Sequence, residues 1–347
     1  MRLILDPAEN TMHGTWLRET PGAYEWWYFD ALSESGEWAM SCIWFLGNPF
    51  SPYYRLAATG RPADPFADNA LFFALYKEGR LYAYHFTTFP KGDIFADETR
   101  PASLRFGENT LQSQANGEYR LRLADENANR RQLTADLSFW STPLLTPPRP
   151  NSGESIEERQ DTHFWLPSAP ACQVAASITL REAQNSSAES IAFTGHGYHD
   201  HNWGRLPFQA DILEWYWARA SLGKERAVIL YHVITRSKPI SQLLLFDRGK
   251  LIHYDDKARI KLGRTRMNGF GTLYATRLET ESEEIQAVFH LENRLDSAPF
   301  YLRTLCRADV TISGKQQMGT GLGEYFRPHW LSSPVIASAT KARIVER

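Results

Sequence analysis

The stretch Glu25-Trp26-Trp27-Tyr28-Phe29-Asp30-Ala31 decides the fold, because it recurs 189 residues later as Glu214-Trp215-Tyr216-Trp217-Ala218-Arg219-Ala220. Three of the seven positions are identical, and two more exchange one aromatic residue for another. Each copy is followed by a glycine turn and a second apolar run, which is typical of a β-hairpin. The recurrence predicts two related β-domains in one chain.

The rest of the chain carries the same β pattern. From Tyr24 onward, short apolar and aromatic runs alternate with turn residues, whereas helical periodicity is scarce. Four hairpins are predicted: Glu25–Leu32 with Trp38–Phe45, Ala70–Lys77 with Leu81–Phe89, Trp215–Ser221 with Ala227–Val233, and Leu243–Asp247 with Leu251–Tyr254. Because 347 residues exceed the usual size of one core, we predict an all-β protein with antiparallel domains at 1–205 and 206–347.

Two proline-rich stretches interrupt the strand pattern. Gly47 to Asn69 contains four prolines, and Ser141 to Pro170 contains six. Proline cannot donate to a β-ladder, so both stretches are predicted to be long loops. Loops of this length act either as lids over a site or as tolerated surface insertions, and the sequence leaves both roles open.

Composition limits the partners and the compartment. The 38 basic and 40 acidic residues give a net charge of -2, which lacks the positive excess that nucleic-acid binding requires. Three cysteines without paired spacing indicate a reducing compartment. No apolar run suits a signal sequence or a membrane span, so we expect a cytoplasmic protein without an integral membrane segment.

The densest group of chemically active side chains is His196-Gly197-Tyr198-His199-Asp200-His201-Asn202-Trp203-Gly204. In an extended strand, the period of two places His199, His201 and Trp203 on one face. Tyr198, Asp200 and Asn202 then lie on the opposite face. At least one face is therefore expected to meet something other than bulk solvent.

Two chemistries fit this motif. His199 and His201 could present two imidazoles to a metal ion, but no glutamate follows the pair and the next acid is Asp211, so we expect no metal and no cofactor. The alternative is a carboxyl or imidazolium group of shifted pKa that protonates a carbon–carbon double bond. Aromatic rings would stabilise the carbocation that results. Candidates for these rings are Trp27, Tyr28, Trp203, Trp215, Trp217 and Tyr231.

Structural roles compete with functional ones at several positions. Glu25 and Glu214, at matching repeat positions, either cap a strand end or pair with a cation. Arg219, in an aromatic strand, favours a buried ion pair over a substrate contact. Trp26 and Trp27 point to opposite faces of one strand, so at most one of them lines a given cavity.

At Glu25–Ala31, Gly197–Gly204 and Ala227–Val233 the sequence resembles the carotenoid 1,2-hydratase (hydroxyneurosporene synthase) family. It is similar also to the wider lipocalin-like group that includes tocopherol cyclases and fungal Diels–Alderases. The resemblance implies two consecutive lipocalin-like antiparallel β-barrels with a ligand cavity near their junction. It further implies that His201 and Trp203 protonate and hold the polyene end, helped by Tyr231. The acidic residue that the hydratases carry just beyond this tyrosine is replaced here by His232 and Val233.

Three functions remain open at this point. We expect a cofactor-independent lyase or cyclase that protonates a lipophilic, isoprenoid-like substrate, with His201 or Asp200 as the proton source. The alternatives are a cyclase that folds a polyene for a pericyclic reaction, and a carrier with the same cavity. The predicted catalytic residues are His199, Asp200, His201, Trp203 and Tyr231. The predicted substrate-binding residues are Glu25, Trp27, Tyr28, Tyr198, Asn202, Trp215, Trp217 and Arg219.

Overall fold

A computed structural model of the chain describes residues 2–3, 20–51, 68–97, 100, 102–127, 129–144, 163–182, 187–204, 206–207, 211–282 and 284–328. Within these ranges the strands are β1 (Arg2–Leu3), β2 (Tyr24–Ser33), β3 (Trp38–Leu46), β4 (Asn69–Lys77), β5 (Arg80–Phe89), β6 (Ile94–Ala96), β7 (Ser103–Phe106), β8 (Asn109–Ser113), β9 (Glu118–Glu126), β10 (Gln132–Ser141), β11 (His163–Arg181), β12 (Ala188–Gly204), β13 (Ile212–Ser221), β14 (Arg226–Thr235), β15 (Pro239–Asp247), β16 (Lys250–Asp255), β17 (Arg259–Leu262), β18 (Thr265–Met267), β19 (Leu273–Ala275), β20 (Arg277–Glu281), β21 (Ile285–Ser297), β22 (Tyr301–Ile312) and β23 (Lys315–Phe326). A 3₁₀ turn lies at Lys91–Asp93. The all-β prediction is confirmed.

The four predicted hairpins are all present, as β2–β3, β4–β5, β13–β14 and β15–β16. Two of them turn through pairs of residues with positive φ, Glu78-Gly79 and Arg248-Gly249. Two-residue turns of this kind match the twist of antiparallel strands. The second residue of each pair is glycine, which adopts a positive φ without steric cost.

The first sheet contains β1–β12 in the order β5-β4-β3-β2-β12-β11-β10-β9-β8-β7-β6, and β1 pairs in parallel with β11. Its edge strand β5 returns to the region around β9. There the Thr87 hydroxyl donates to Asp125 at 2.8 Å, and the Arg131 guanidinium donates to the Tyr82 carbonyl at 2.8 Å. The first sheet is therefore a nearly closed barrel.

The second sheet has the order β16-β15-β14-β13-β23-β22-β21-β20-β17 and forms a half-barrel beside the separate hairpin β18–β19. Its meander β13–β16 corresponds to β2–β5 of the first sheet. In both sheets the last long strand, β12 or β23, returns to pair with the first strand of that meander. The repeat predicted from the sequence thus occupies the same place in both sheets.

Side chains of the central strands alternate between separate buried layers. On β2, Trp27 and Phe29 point into the first barrel, whereas Tyr28 belongs to a layer shared with the second sheet. On β13, Trp217 belongs to this same layer, and Ala218 points into the second sheet. We call the shared layer, which contains Tyr28, Trp165, Asp200, Trp217 and Tyr231, the junction layer.

The two sheets follow one another along the chain. The first sheet ends at Gly204, and the second begins at Ile212, on either side of the boundary predicted between residues 205 and 206. That each part is a domain able to fold by itself stays a prediction. Among the described residues, no helix has the length and apolar character needed to cross a membrane.

The second proline-rich stretch corrects one prediction. A loop from Ser141 to Pro170 is wrong at its end, because His163–Pro170 belongs to β11. β11 pairs with β12 through register shifts between Leu166 and Ala169 and between Ala169 and Cys172. Each shift is a β-bulge that contains a proline, Pro167 or Pro170, and a bulged position does not need a ladder hydrogen bond. The predicted lids fall mainly on 52–67 and 145–162, which lie outside the described residues.

Candidate active site

The His196–Gly204 motif lies in β12, between β2 and β11, and its two faces belong to different layers. His199 and His201 stack on Phe29 and Trp27 inside the first barrel. Tyr198 and Asp200 lie in the junction layer, where Tyr198 contacts Trp217. The alternation expected from the period of two is present, so the motif cannot act as a single catalytic surface.

This split divides the predicted site residues between two layers. Of the five predicted catalytic residues, His199, His201 and Trp203 lie on the barrel side, whereas Asp200 and Tyr231 lie in the junction layer. The predicted binding residues divide in the same way. Glu25 and Trp27 face His201 inside the barrel. The remaining predicted binding residues, which belong to the junction layer, are Tyr28, Tyr198, Asn202, Trp215, Trp217 and Arg219.

Both imidazoles on the barrel side are buried and hydrogen-bonded. His201 Nε2 donates to Glu25 Oε1 at 2.7 Å, and its ring stacks on Trp27 with centroids 4.7 Å apart. His199 Nδ1 donates to the Tyr28 carbonyl at 2.9 Å, and its ring lies flat on Phe29 at 4.0 Å. Burial lowers the pKa of each histidine to about 3. Burial therefore favours the neutral form of both rings.

The same hydrogen bonds bear on a metal site at His199 and His201. His201 already uses one ring nitrogen for Glu25, and His199 uses one for a backbone carbonyl. Within the part of the chain that the structure describes, no group of three or more His, Cys, Asp or Glu side chains has an arrangement able to hold a metal ion.

Asp200 is held by three donors in the junction layer. Its Oδ2 accepts hydrogen bonds from Trp165 Nε1 and from the Tyr198 hydroxyl, both at 2.8 Å. Its Oδ1 accepts from Asn202 Nδ2 at 2.6 Å. The bulged part of β11 lies beside Asp200, since Leu166 pairs with His201 and Ala169 pairs with His199. Bulges change the direction of side chains next to functional sites. Trp165 lies just before this bulge, and its indole N–H donates to the Asp200 carboxyl.

Asp200 is a buried acid. Only 5% of the residue is exposed, and burial raises the pKa of its carboxyl to about 8. The three hydrogen bonds oppose this rise, while the negative charge of Glu324 on the second sheet adds to it. The largest causes of the shift are thus burial, the three hydrogen bonds and the charge of Glu324. Asp200 therefore keeps its proton at neutral pH, which is the state that a general acid needs.

Aromatic rings from both sheets surround this carboxyl. Tyr231 of β14 meets Trp165 edge-on, with centroids 4.9 Å apart. Trp217 of β13 contacts Tyr28 at 5.6 Å and Tyr198 at 5.1 Å. Burial raises the pKa of the Tyr231 phenol, and the charge of Asp200 is the next cause. The acid thus lies among ring faces that can stabilise positive charge.

Arg219 is engaged in structure. It forms a fully buried ion pair with Asp30 and donates to the Ser221 hydroxyl at 3.1 Å. The buried ion pair that the sequence favours for Arg219 is therefore present, and a contact of Arg219 with substrate stays a prediction. The pair joins β13 of the second sheet to β2 of the first.

A second buried arginine was not predicted as part of the site. Arg303 donates to Asp296 at 2.9 Å, to Ser41 of the first sheet at 2.8 Å and to Glu324 at 3.0 Å. Its guanidinium also lies over the ring of Tyr28, 5.7 Å from the centroid. Trp165 and Glu324 were missed as well, since Trp165 lies in a stretch that reads as a loop and Glu324 has no distinctive neighbours in sequence. Strand register, which the sequence does not give directly, is what brings them to Asp200.

One groove is defined by described residues alone. It has a volume of about 580 Å³ and is lined by charged and polar side chains of the β4–β5 turn, the β18–β19 hairpin and Glu292–Arg294 of β21. None of the residues around Asp200 belongs to its lining. The apolar cavity predicted near the junction stays a prediction.

Comparisons with known proteins agree with this fold. The sequence model of the carotenoid hydratase CrtC family matches residues 42–344. A hydroxyneurosporene dehydrogenase of Chlorobaculum tepidum is 29% identical over 99% of this chain and 92% of its own length. An acyclic carotenoid 1,2-hydratase of Thiocapsa roseopersicina is 28% identical over 95% of this chain and 74% of its own length.

Solved structures show the same architecture at low identity. CghA, in a complex with Sch210972, has a TM-score of 0.61 at 12% identity, with 88% of each chain covered. An AttH protein of Nitrosomonas europaea has a TM-score of 0.61 at 17% identity, with 93% of this chain and 96% of the other covered. These similarities establish a lipocalin-like fold, while the hydratase relatives support an enzyme. Since the family match extends over most of the sequence, the chain belongs to the carotenoid hydratase CrtC family.

Proposed function

We propose that this protein is a cofactor-independent lyase or cyclase that protonates a carbon–carbon double bond of an acyclic, isoprenoid-like polyene. The substrate class follows from relatives that are named acyclic carotenoid 1,2-hydratases. Hydration and cyclisation share the first step, which is proton transfer to an alkene carbon. A carboxylic acid supplies that proton without a cofactor.

The observation that carries the proposal is the buried carboxyl of Asp200, which three donors hold in an aromatic layer between the sheets. Its pKa of about 8 keeps the proton in place at pH 7, and Trp165, Tyr198 and Asn202 fix its orientation. A carboxylic acid kept neutral by its surroundings can donate a proton that an exposed aspartate would already have lost. General acid catalysis of this kind contributes about 10²- to 10⁴-fold in rate.

The rings around Asp200 complete the proposed chemistry. Protonation of an alkene leaves a carbocation, which the faces of Trp217, Tyr28 and Tyr231 stabilise through their quadrupoles. Trp203 and His201 take a different part from the one that the family resemblance implies. They anchor β12 from the barrel side, where Trp203 stacks on Phe164 and His201 bonds to Glu25.

The test uses lycopene, an acyclic carotenoid, in detergent micelles made up in D₂O. We expect the product to carry one deuterium from solvent and the rate to fall above pH 8, as Asp200 loses its proton. Asp200→Asn should lower kcat by about 10²- to 10⁴-fold and change lycopene affinity by less than about tenfold. His199→Gln, on the barrel side of the same strand, is the matched control and should retain kcat within about tenfold.

Other results would contradict the proposal in distinct ways. Unlabelled product and a flat pH–rate profile would favour a pericyclic cyclase. Lycopene that binds and returns unchanged and unlabelled would favour a carrier. Loss of kcat in His199→Gln as large as in Asp200→Asn would place the proton source on the barrel side.

A further inference from the structure

The junction layer has approximate two-fold symmetry, and the two copies of the sequence repeat contact each other across it. Tyr28 and Trp217 occupy the same repeat position, and their rings meet edge-on at 5.6 Å. Asp30 and Arg219 also occupy one repeat position, and they form the buried ion pair. Contact between equivalent residues is the mark of an isologous interface, here formed within one chain.

The symmetry extends to the strands that flank the repeat. Asp200 of β12 pairs in register with Tyr28, and Glu324 of β23 pairs in register with Trp217. Because Tyr28 and Trp217 are equivalent, Asp200 and Glu324 are equivalent too. The junction layer therefore holds two carboxyls, one from each sheet, in corresponding places.

Their supporting donors correspond as well. Trp165 of β11 donates to Asp200, and Tyr301 of β22 donates to Glu324. Each donor lies on the strand next to its carboxyl, opposite the residue two positions further along, which is Asn202 or Phe326. The two sites differ in one respect. Arg303 binds Glu324 through Nε and Nη2, whereas Asp200 has no cation among its hydrogen-bonding partners.

We propose that Glu324 is the second catalytic carboxyl, which accepts the proton released when the carbocation is captured. This inference rests on the proposed function, in which Asp200 is the proton donor. When their surroundings give two carboxyls of one site different pKa values, one can act as an acid and the other as a base. Here Arg303 binds Glu324 and opposes the rise of its pKa, whereas the hydrogen-bonding partners described for Asp200 include no cation.

The Oε2 atom of Glu324 is placed to accept a proton. All three hydrogen bonds from Tyr301 and Arg303 go to Oε1, which leaves Oε2 without a hydrogen bond to any described residue. The Glu324 side chain keeps 14% exposure, while Arg303 behind it keeps 1%. Burial raises the pKa of Glu324, and the Arg303 guanidinium opposes that rise. Oε2 is thus the atom able to receive a proton from water or from a substrate carbon.

The proposed step balances. The Asp200 carboxyl breaks its O–H bond and the π pair of the alkene forms a C–H bond, which leaves a carbocation and the Asp200 carboxylate. In hydration, the oxygen of a water molecule forms the C–O bond, and one of its protons passes to Glu324 Oε2. In cyclisation, the proton that passes to Oε2 comes from the carbon beside the cation, whose C–H pair becomes a new double bond. Return of that proton from Glu324 to Asp200 through solvent completes the cycle.

The assignment also accounts for a difference from the hydratases. Where the family resemblance implies an acidic residue just beyond the tyrosine, this chain has His232 and Val233, and Val233 is fully buried in the junction layer. Tyr231 and Glu324 both pair in register with Trp217, from β14 and β23, so they lie in one row across the second sheet. Glu324 therefore supplies a carboxyl in the row of Tyr231, where this chain has none on β14.

The experiment compares Glu324→Gln with Asp296→Asn, using lycopene in D₂O. Asp296 is the matched control, because it binds the same arginine but is not the symmetry partner of Asp200. We expect Glu324→Gln to lower product formation by about 10²- to 10⁴-fold, while recovered lycopene still gains deuterium because Asp200 continues to protonate it reversibly. Asp296→Asn should retain kcat within about tenfold. Circular dichroism and thermal unfolding establish that both variants are folded.

Each remaining outcome overturns the inference. If Glu324→Gln loses deuterium exchange together with product, as expected for Asp200→Asn, Glu324 serves only the acid. If both variants lose activity equally, the loss reflects the arginine cluster. If the wild-type protein gives neither exchange nor labelled product, and Asp200→Asn behaves like it, the proposed function itself fails.

Discussion

The barrel interior and the junction layer are built by alternate residues of the same two strands, β2 and β12. Burial shifts pKa values in opposite directions in the two regions, because one holds histidines and the other holds a carboxyl. Inside the barrel, His199 and His201 are neutral, with pKa values lowered to about 3. In the junction layer, Asp200 is also neutral, with its pKa raised to about 8, and Asp30 forms an ion pair with Arg219. Burial acts on both regions, and only the junction layer adds charged partners from a second sheet.

Strand geometry thus divides the His196–Gly204 motif between two environments, the barrel interior and the junction layer. The interior face of β12 meets Trp27 and Phe29 of its own sheet, so its histidines stack and bond in place. The junction face of β12 contacts residues of the second sheet, such as Trp217.

The largest expected effect in stability is at the ion pair that joins the sheets. Arg219→Met should lower the free energy of unfolding by about 3–5 kcal/mol, because it leaves the fully buried Asp30 carboxyl without its cation. Urea unfolding measures the change. Arg120→Met is the matched control, since Arg120 pairs with Asp136 at 2.6 Å but both side chains are more than one-third exposed. Water and salt screen an exposed pair of this kind, so Arg120→Met should change the free energy of unfolding far less than Arg219→Met.

A double variant sharpens the same comparison. Arg219→Met combined with Asp30→Leu removes both charges, so much of the lost stability should return. Equal losses in Arg219→Met and Arg120→Met would contradict the description of the junction as a layer that excludes water.

Much of the fold can be predicted from the sequence, because hairpins depend on local signals. The turns at Glu78-Gly79 and Arg248-Gly249 and the alternation of β2 and β12 are all readable over a few residues. The end of β11 is not, since Pro167 and Pro170 are tolerated only through bulges that depend on the pairing with β12. A proline in sequence gives no information about whether such a bulge exists.

The site is less predictable for a different reason. Residue type favours histidine as the proton source, but protonation depends on burial and neighbours. Burial lowers the pKa of His201 and raises the pKa of Asp200. Glu324 becomes visible only when strand register shows that it corresponds to Asp200. The pairing of Asp30 with Arg219 likewise needs the relative placement of two sheets.

The second prediction concerns the opposite pH dependences of the two regions. The folded-state pKa of Asp200 lies above its unfolded value, so its contribution to stability is lost as pH rises towards about 8. The folded-state pKa of His199 lies below its unfolded value, so stability is lost as pH falls below about 6.5. Asp200→Asn should therefore gain stability relative to wild type by ~2 kcal/mol between pH 6 and pH 8.

Chemical unfolding at a series of pH values measures this difference. His199→Gln is the matched variant, because it should reduce the loss on the acid side and leave the alkaline side as in wild type. Parallel curves for Asp200→Asn and wild type between pH 6 and pH 8 would mean that Asp200 is ionised in the folded protein, and the contrast between the two regions would disappear.

The smallest expected effect is at Tyr198, and it tests the junction layer most finely. The Tyr198 hydroxyl donates to Asp200 and lowers the pKa of its carboxyl, against the larger rise caused by burial. Tyr198→Phe removes this donor and retains the ring against Trp217. We expect the alkaline limb of the pH–rate profile to move to higher pH by about 1 unit or less, with a change of only a few-fold in kcat at pH 7.

The direction of this shift is the informative quantity. A donor that stabilised the protonated form would give a shift to lower pH, so movement in that direction would contradict the hydrogen-bond arrangement around Asp200. Tyr28→Phe offers a comparison in the same layer, because the Tyr28 hydroxyl donates to Asp30 at 3.1 Å and not to Asp200. An alkaline limb that moves in Tyr198→Phe and stays in place in Tyr28→Phe would attribute the limb to Asp200 among the junction carboxyls.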